Sequence, residues 1–162
     1  MRDTDFFENT TKKTALSNEN KLTILNINIQ SLQQKTDLLN YEMMQHNIDI
    51  AIVTEHWFST NKMTALKFSR YKVSSHFCRC RYIHGGVLIL IKDNLRATEI
   101  TQITEISEEK NAELTAIRID SNKFVILAAY RSPSGNLNVF LEALNDALDI
   151  ISELYSYDNI YV

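Results

Sequence analysis

The sequence predicts an α/β fold, and two observations support this class. Between Leu22 and Thr54 a strand pattern, a helix pattern and a second strand pattern follow one another, as in a βαβ unit with a right-handed crossover. Further along, several strand-length apolar runs precede one long segment whose apolar residues recur at three- and four-residue spacing. A sheet covered by helices accommodates both patterns.

The first elements follow a polar N-terminal stretch. Residues 1–20 are polar and lack periodicity, so we expect a disordered tail, with the domain spanning residues 21–162. The run 22–29 is rich in β-branched residues and predicts a strand, and 35–47 has the single apolar stripe of a helix. The run 48–54 is almost continuously apolar, which is typical of a strand buried on both faces.

The remainder of the chain predicts four strands and a long helix. A turn at 120–122 joins the last two strands, and a break at 133–135 precedes the helix, for which Asn138 is the expected N-cap. The run 159–162 resembles the start of another buried strand. The predicted strands are Tyr71–Phe77, Val87–Lys92, Glu113–Ile119 and 123–130.

The composition is that of one globular domain. The 162 residues are 44% hydrophobic and 23% charged, enough for a sizeable core. The apolar runs are much shorter than the ~20 residues that cross a bilayer, and the N-terminus has no apolar signal region. We therefore expect no membrane partner and a nuclear or cytoplasmic location, where Cys78 and Cys80 stay reduced.

Polar side chains interrupt the apolar strands at positions suited to a functional site. Asn26 and Asn28 lie two residues apart in one strand and therefore face the same side. Glu55 directly follows a buried strand, at the edge of a sheet where active sites concentrate. Tyr130 ends a later strand. Each has an ordinary structural explanation when taken singly, such as an exposed carboxylate or a packed phenol.

Residues 62–96 form a basic segment in an acidic chain. They include eight Lys or Arg and one Asp, a local charge of +7 in a chain of net charge −3. Such a segment is either a contact surface for a polyanion or a solvated stretch of loops and edge strand, and charge alone does not decide between them. The residues that we expect to bind nucleic acid are Arg70, Arg79, Arg81 and Arg131.

Four motifs, in order, resemble the endonuclease/exonuclease/phosphatase superfamily: NINIQSL (26–32), IVTEHW (52–57), GGVLILI (85–91) and AYRSPS (129–134). Their spelling is similar to the apurinic/apyrimidinic-endonuclease-like domain that precedes the reverse transcriptase of non-LTR retrotransposons. The resemblance covers about residues 21–162 and implies a two-sheet sandwich with outer helices.

The resemblance also implies roles for the polar residues. Glu55 would be the metal-binding glutamate, Asn26 the family's catalytic asparagine, Asn28 a neighbour of the metal, and Tyr130 the contact to the scissile phosphate. The implied cofactor is Mg²⁺ or Mn²⁺, since Mg²⁺ binds through one or two carboxylates and keeps positions for water and substrate. The implied partners are DNA and a downstream reverse-transcriptase region.

Two later motifs of the family, Gly-Asp-Phe-Asn and Ser-Asp-His, are not found in the sequence. We therefore expect a sandwich incomplete at its C-terminus, with uncovered apolar strands, and a Mg²⁺-dependent DNA endonuclease that is truncated and inactive alone. One alternative is a non-catalytic nucleic-acid-binding remnant that uses the basic segment. Another is the phosphatase or phospholipase branch of the superfamily.

Overall fold

The computed structural model describes residues 11–15, 21–121, 123–155 and 158–162. The strands are β1 (Thr11–Ala15), β2 (Leu22–Asn28), β3 (Ile50–Thr54), β4 (Tyr71–Phe77), β5 (Val87–Lys92), β6 (Ala97–Glu99), β7 (Glu113–Ile119), β8 (Phe124–Tyr130) and β9 (Asn159–Tyr161). The helices are α1 (Thr36–Gln45), α2 (Thr60–Thr64), α3 (Thr101–Glu105) and α4 (Leu137–Leu154).

The strands form two sheets. The first has the order β1-β2-β3-β5-β4 and the second has the order β6-β7-β8-β9. Strands β2 and β3 are parallel, with Asn28 opposite Thr54, and α1 connects them, which confirms the predicted βαβ unit. In the second sheet the β7–β8 hairpin is antiparallel and pairs Glu113 with Tyr130.

Three apolar layers hold the two sheets and their helices together. The layer between the sheets consists mainly of isoleucine, contributed by β2, β3 and β5 from one sheet and by β7 and β8 from the other. On its outer face the first sheet packs under α1, through residues such as Leu39 and Met43. The second sheet packs under α3 and α4, through Ile103 and Ile151. This is the α/β two-sheet sandwich that the sequence predicts.

The structure corrects three expectations. The prediction of a disordered tail is wrong for Thr11–Ala15. This segment pairs with β2, because the edge of that strand has unpaired backbone groups. Residues 1–10 and 16–20 lie outside the described residues. The expectation of uncovered strands is wrong too: Val87–Ile91 is 0% exposed and 125–128 is at most 2% exposed. The N-cap of α4 is Asn136, since its side chain accepts hydrogen bonds from the backbone N–H groups of Asn138 and Val139.

Neither α2 nor α3, each of five residues, is foreseen from the sequence, nor is the three-residue strand β6. Segments of this length are too short to show a periodicity. Within the described part of the chain, no helix combines the length and the apolar character that a bilayer crossing requires.

Candidate functional site

Three of the predicted site residues meet at one edge of the sandwich. Asn28 ends β2, Glu55 follows β3, and Tyr130 ends β8 in the other sheet. The Asn28 side-chain amide donates a hydrogen bond to Glu55 Oε1 at 2.8 Å, and the Tyr130 hydroxyl donates to the same oxygen at 2.8 Å. Residues 27 and 75 positions away from Glu55 are thus brought to one carboxylate oxygen.

The backbone of Glu55 is held on both sides. Its N–H donates to Gly86 O at 2.8 Å, and its carbonyl accepts from the N–H of Ser31 at 2.9 Å. Glu55 has φ +55° and Trp57 has φ +61°; these are left-handed conformations that residues with a side chain rarely adopt. Neighbouring backbone groups therefore fix a turn that aims the carboxylate across the edge of the sheet.

The Tyr130 phenol is protonated at neutral pH, and its surroundings reinforce that state. Its phenol is half-buried, and desolvation, followed by the hydrogen bond and the negative charge of Glu55, raises its pKa well above the ordinary tyrosine value. The hydroxyl is a hydrogen-bond donor at neutral pH and stays one at more alkaline pH than an ordinary tyrosine does. A donor of this kind suits an anionic oxygen, whether of a carboxylate or of a phosphate.

His56, next to Glu55, points the opposite way and has a structural role. It is fully buried; its Nε2 bonds Phe77 O at 3.0 Å, and its Nδ1 accepts from the N–H of Phe58 at 2.9 Å. Desolvation lowers its pKa from 6.5 to about 4, so the ring is neutral. A Cβ on Gly86, which has φ +91°, would collide with the imidazole. Both ring nitrogens are occupied within the protein, so His56 is not placed to transfer a proton to a substrate.

Asn26 lies near the site without joining it. It is exposed, and it shares the face of Asn28 as predicted. Among the described residues no hydrogen bond connects its side chain to Glu55 or Tyr130. The structure thus assembles three of the four polar residues that the sequence singles out.

The four arginines expected to bind nucleic acid do not form one surface. Arg70 precedes β4 and Arg79 follows it, and a seven-residue strand is about 20 Å long. The Arg131 guanidinium donates to Gly135 O at 2.7 Å and to Ser132 O, within its own loop. Arg81 is exposed at the same end of the first sheet as Glu55.

Arg79 is the clearest departure from the expected role. Its side chain is 6% exposed and forms an ion pair with Glu113, which is 0% exposed. A guanidinium buried against a carboxylate is not available to a DNA phosphate, so the prediction of direct binding is wrong for Arg79. Sequence reasoning missed Glu113; its one signal is a carboxylate at the start of an apolar strand, opposite Tyr130.

The site has the ligand types that Mg²⁺ prefers. Glu55 offers a half-buried carboxylate, and Oε1 takes both hydrogen bonds while Oε2 receives none from the described residues. Asn28 adds an amide oxygen. No cluster of three or more His, Cys, Asp or Glu suited to a metal occurs in the described part of the chain. One carboxylate with open positions fits Mg²⁺ better than it fits a closed structural zinc site.

Comparisons with known proteins agree with this architecture. No family model and no curated protein matches the sequence. A solved structure does: the "Endonuclease domain of TRAS1, a telomere-specific non-LTR retrotransposon", 17% identical, with a TM-score of 0.56 over 76% of this chain and 52% of that chain. This chain therefore spans about half the length of the solved one. The two are similar in fold, as the order of the four motifs predicts.

Proposed function

We propose that this chain provides the metal- and phosphate-binding part of a Mg²⁺-dependent DNA endonuclease. The observation that carries the proposal is the meeting of Asn28, Glu55 and Tyr130 at one edge of the sandwich. The similarity in fold to a retrotransposon endonuclease domain supports it. DNA is the proposed substrate, and a reverse-transcriptase region is the proposed downstream partner in a longer form.

The residues present divide the work of binding. Glu55 would hold Mg²⁺ or Mn²⁺, and the Asn28 amide would keep its carboxylate in one orientation. When bound, the ion neutralises charge on the phosphoryl oxygens and lowers the pKa of water. Tyr130 has a single O–H donor, which bonds Glu55 in the structure; with substrate bound, it would donate to a phosphate oxygen instead of Glu55. Hydrogen bonds from preorganised donors to developing charge are among the larger contributions to catalysis.

Proton transfer is a step to which His56, the histidine adjacent to Glu55, does not contribute. His56 is neutral and engaged at both nitrogens, as described above. General acid–base assistance is typically worth about 10²–10⁴ in rate. We therefore expect the 162-residue polypeptide to bind metal while showing no detectable cleavage by itself.

Metal binding by the chain tests the proposal directly. Mn²⁺ affinity is measured by electron paramagnetic resonance for the wild type, for Glu55→Gln, and for Glu42→Gln as a control on the outer helix α1. We expect Glu55→Gln to weaken Mn²⁺ binding at least about tenfold and Glu42→Gln to have no effect. Equal affinity in all three proteins would refute the metal site.

Cleavage assays then separate the substrate classes. Supercoiled plasmid, phosphoinositide and sphingomyelin are offered with Mg²⁺ to the chain, and to a longer form that includes any in-frame downstream sequence. Plasmid nicking that disappears with Glu55→Gln supports the endonuclease. Hydrolysis of either lipid in its place would assign the chain to the phosphatase or phospholipase branch. DNA binding that needs no Mg²⁺, without cleavage by either form, would favour the non-catalytic remnant.

A further inference from the structure

A fully buried carboxylate lies beneath the candidate site and is saturated with donors. Glu113, the first residue of β7, accepts from Arg79 Nε at 2.6 Å, from the N–H of Gly86 at 2.6 Å and from the N–H of Lys110 at 2.9 Å. Arg79 Nη2 completes the ion pair. Burying a carboxylate and a guanidinium carries a large desolvation penalty for each ion, which good geometry only offsets.

The arginine of the pair shapes the loop that precedes β5. Arg79 donates to Ile83 O at 3.3 Å, and its side chain fills the space beside Gly85 where a Cβ would have to lie. The loop 78–86 is therefore folded around the ion pair. Replacing buried ion pairs by apolar residues is often neutral for stability or better. Stability alone therefore does not account for charges at this position.

The loop passes this restraint to the backbone of Glu55. While the N–H of Gly86 donates to Glu113, its carbonyl accepts from the N–H of Glu55 at 2.8 Å. The carbonyl of Gly85 accepts from the N–H of Trp57 at 3.0 Å. Left-handed residues persist only where surrounding groups determine their conformation, and these bonds hold both Glu55 and Trp57 in it.

The contacts around Glu55 form a closed cycle that includes residues of both sheets. Glu113 is the register partner of Tyr130 in the β7–β8 hairpin. Tyr130 donates to Glu55, whose backbone is bonded to Gly86, and Gly86 is bonded to Glu113 again. The carboxylate of Glu55 is thus positioned from the opposite sheet by its side chain and by its backbone.

We propose that Glu113 and Arg79 form a positioning unit for Glu55, holding its carboxylate in the orientation that the metal and phosphate site requires. The unit deepens the proposed function and rests on it for the identity of the bound ion. It acts through Gly86 and touches neither metal nor substrate. Partners that orient a metal ligand in this way typically contribute about 10–100-fold to metal affinity.

The single tryptophan of the chain reports on this unit. Trp57 lies in the restrained turn and stacks on His84 of the loop at 4.0 Å between ring centroids. Its fluorescence and its quenching by acrylamide therefore respond to loosening of the loop, while far-UV circular dichroism follows the sheets and helices. Substitution of a residue that only stabilises the fold would change Trp57 quenching and far-UV circular dichroism at the same temperature.

The test compares three folded proteins: the wild type, Arg79→Met/Glu113→Met, and Lys92→Met. Lys92 pairs with Asp49 at 2.6 Å, at the other end of the same sheet, and serves as the matched control. In the double variant we expect Trp57 to become accessible below the main thermal transition and Mn²⁺ affinity to fall at least about tenfold. In Lys92→Met, Trp57 should become accessible only at the main thermal transition, and Mn²⁺ affinity should be unchanged.

Two further variants keep the test decisive. If the double variant does not fold, Glu113→Gln, which keeps the shape but not the charge, is measured with the same readouts. Arg79→Lys, which keeps a cation beside Glu113, should retain much of the wild-type affinity. Wild-type quenching and Mn²⁺ affinity in a folded Glu113 variant would overturn the positioning unit. Absence of Mn²⁺ binding in the wild type would refute the metal site, while the Trp57 readout would still test the positioning.

Discussion

Acidification should destabilise this fold through one buried histidine. His56 has a pKa of about 4 in the folded protein, chiefly because burial disfavours the imidazolium, against 6.5 when it is solvated. Between these values the unfolded chain binds the extra proton and the folded chain does not. The free energy of unfolding therefore falls as the pH decreases from about 6.5 to about 4, and it is insensitive to His56 above that range.

The size of the effect follows from the two pKa values. One pKa unit corresponds to about 1.4 kcal/mol, so the contribution of His56 to the free energy of unfolding decreases by about 3 kcal/mol over this range. For a domain with a total stability of ~5–15 kcal/mol this is a large share. His76 on β4 adds to the same trend, because burial lowers its pKa as well.

Urea unfolding at several pH values between 7.5 and 4 measures this dependence. We compare the wild type with His56→Gln, which does not titrate, and with His46→Gln, which alters the exposed histidine that follows α1 as its C-cap. The wild type and His46→Gln should lose stability in parallel, while the curve of His56→Gln should be flatter. Equal slopes for the wild type and His56→Gln would refute the assignment of the effect to His56.

Four other substitutions test the geometry of the site and the DNA-binding residues. Gly86→Ala should lower the free energy of unfolding by about 2 kcal/mol or more, because the added Cβ would collide with the His56 ring and because φ is +91° at this position. Urea denaturation at pH 7.5 measures this loss, and an unchanged midpoint would contradict it. Tyr130→Phe should cost about 1 kcal/mol by removing the donor to Glu55, and calorimetry at neutral pH measures that loss. Arg81→Glu should reduce the salt dependence of DNA affinity, where each phosphate contact contributes about −0.9 to the slope of log K against log salt. Arg79→Glu should instead unfold the protein, and a folded Arg79→Glu variant with an altered salt slope would return this residue to the DNA surface.

Most of the fold is accessible from the sequence because its strands are apolar and its longest helix is strongly periodic. The boundaries of β4, β5 and β7 agree with prediction to the residue. Local ambiguity explains the smaller errors. Two asparagines, Asn136 and Asn138, precede the apolar stripe of α4, and only the structure shows which one caps the helix.

The candidate site, too, is predicted in part from the sequence and misassigned in part. Asn28, Glu55 and Tyr130 are found because each interrupts an apolar strand at its end. Arg79 is misassigned because a count of charges along the chain does not reveal its partner, Glu113, 34 residues away. Pairs that are distant in sequence cannot be recognised from residue order, and the sequence does not distinguish a buried arginine from an exposed one.

The position of the site across two sheets has an evolutionary consequence. Asn28 and Glu55 belong to one sheet and Tyr130 to the other, and the spacing between the sheets is set by an isoleucine-rich layer that includes Ile52 and Ile126. Close-packed interiors transmit changes as small as one methylene. Drift at these remote aliphatic positions would therefore change the Glu55–Tyr130 distance without altering a polar residue. Selection for the chemistry would have to act on the hydrophobic layer as well as on the polar residues of the site.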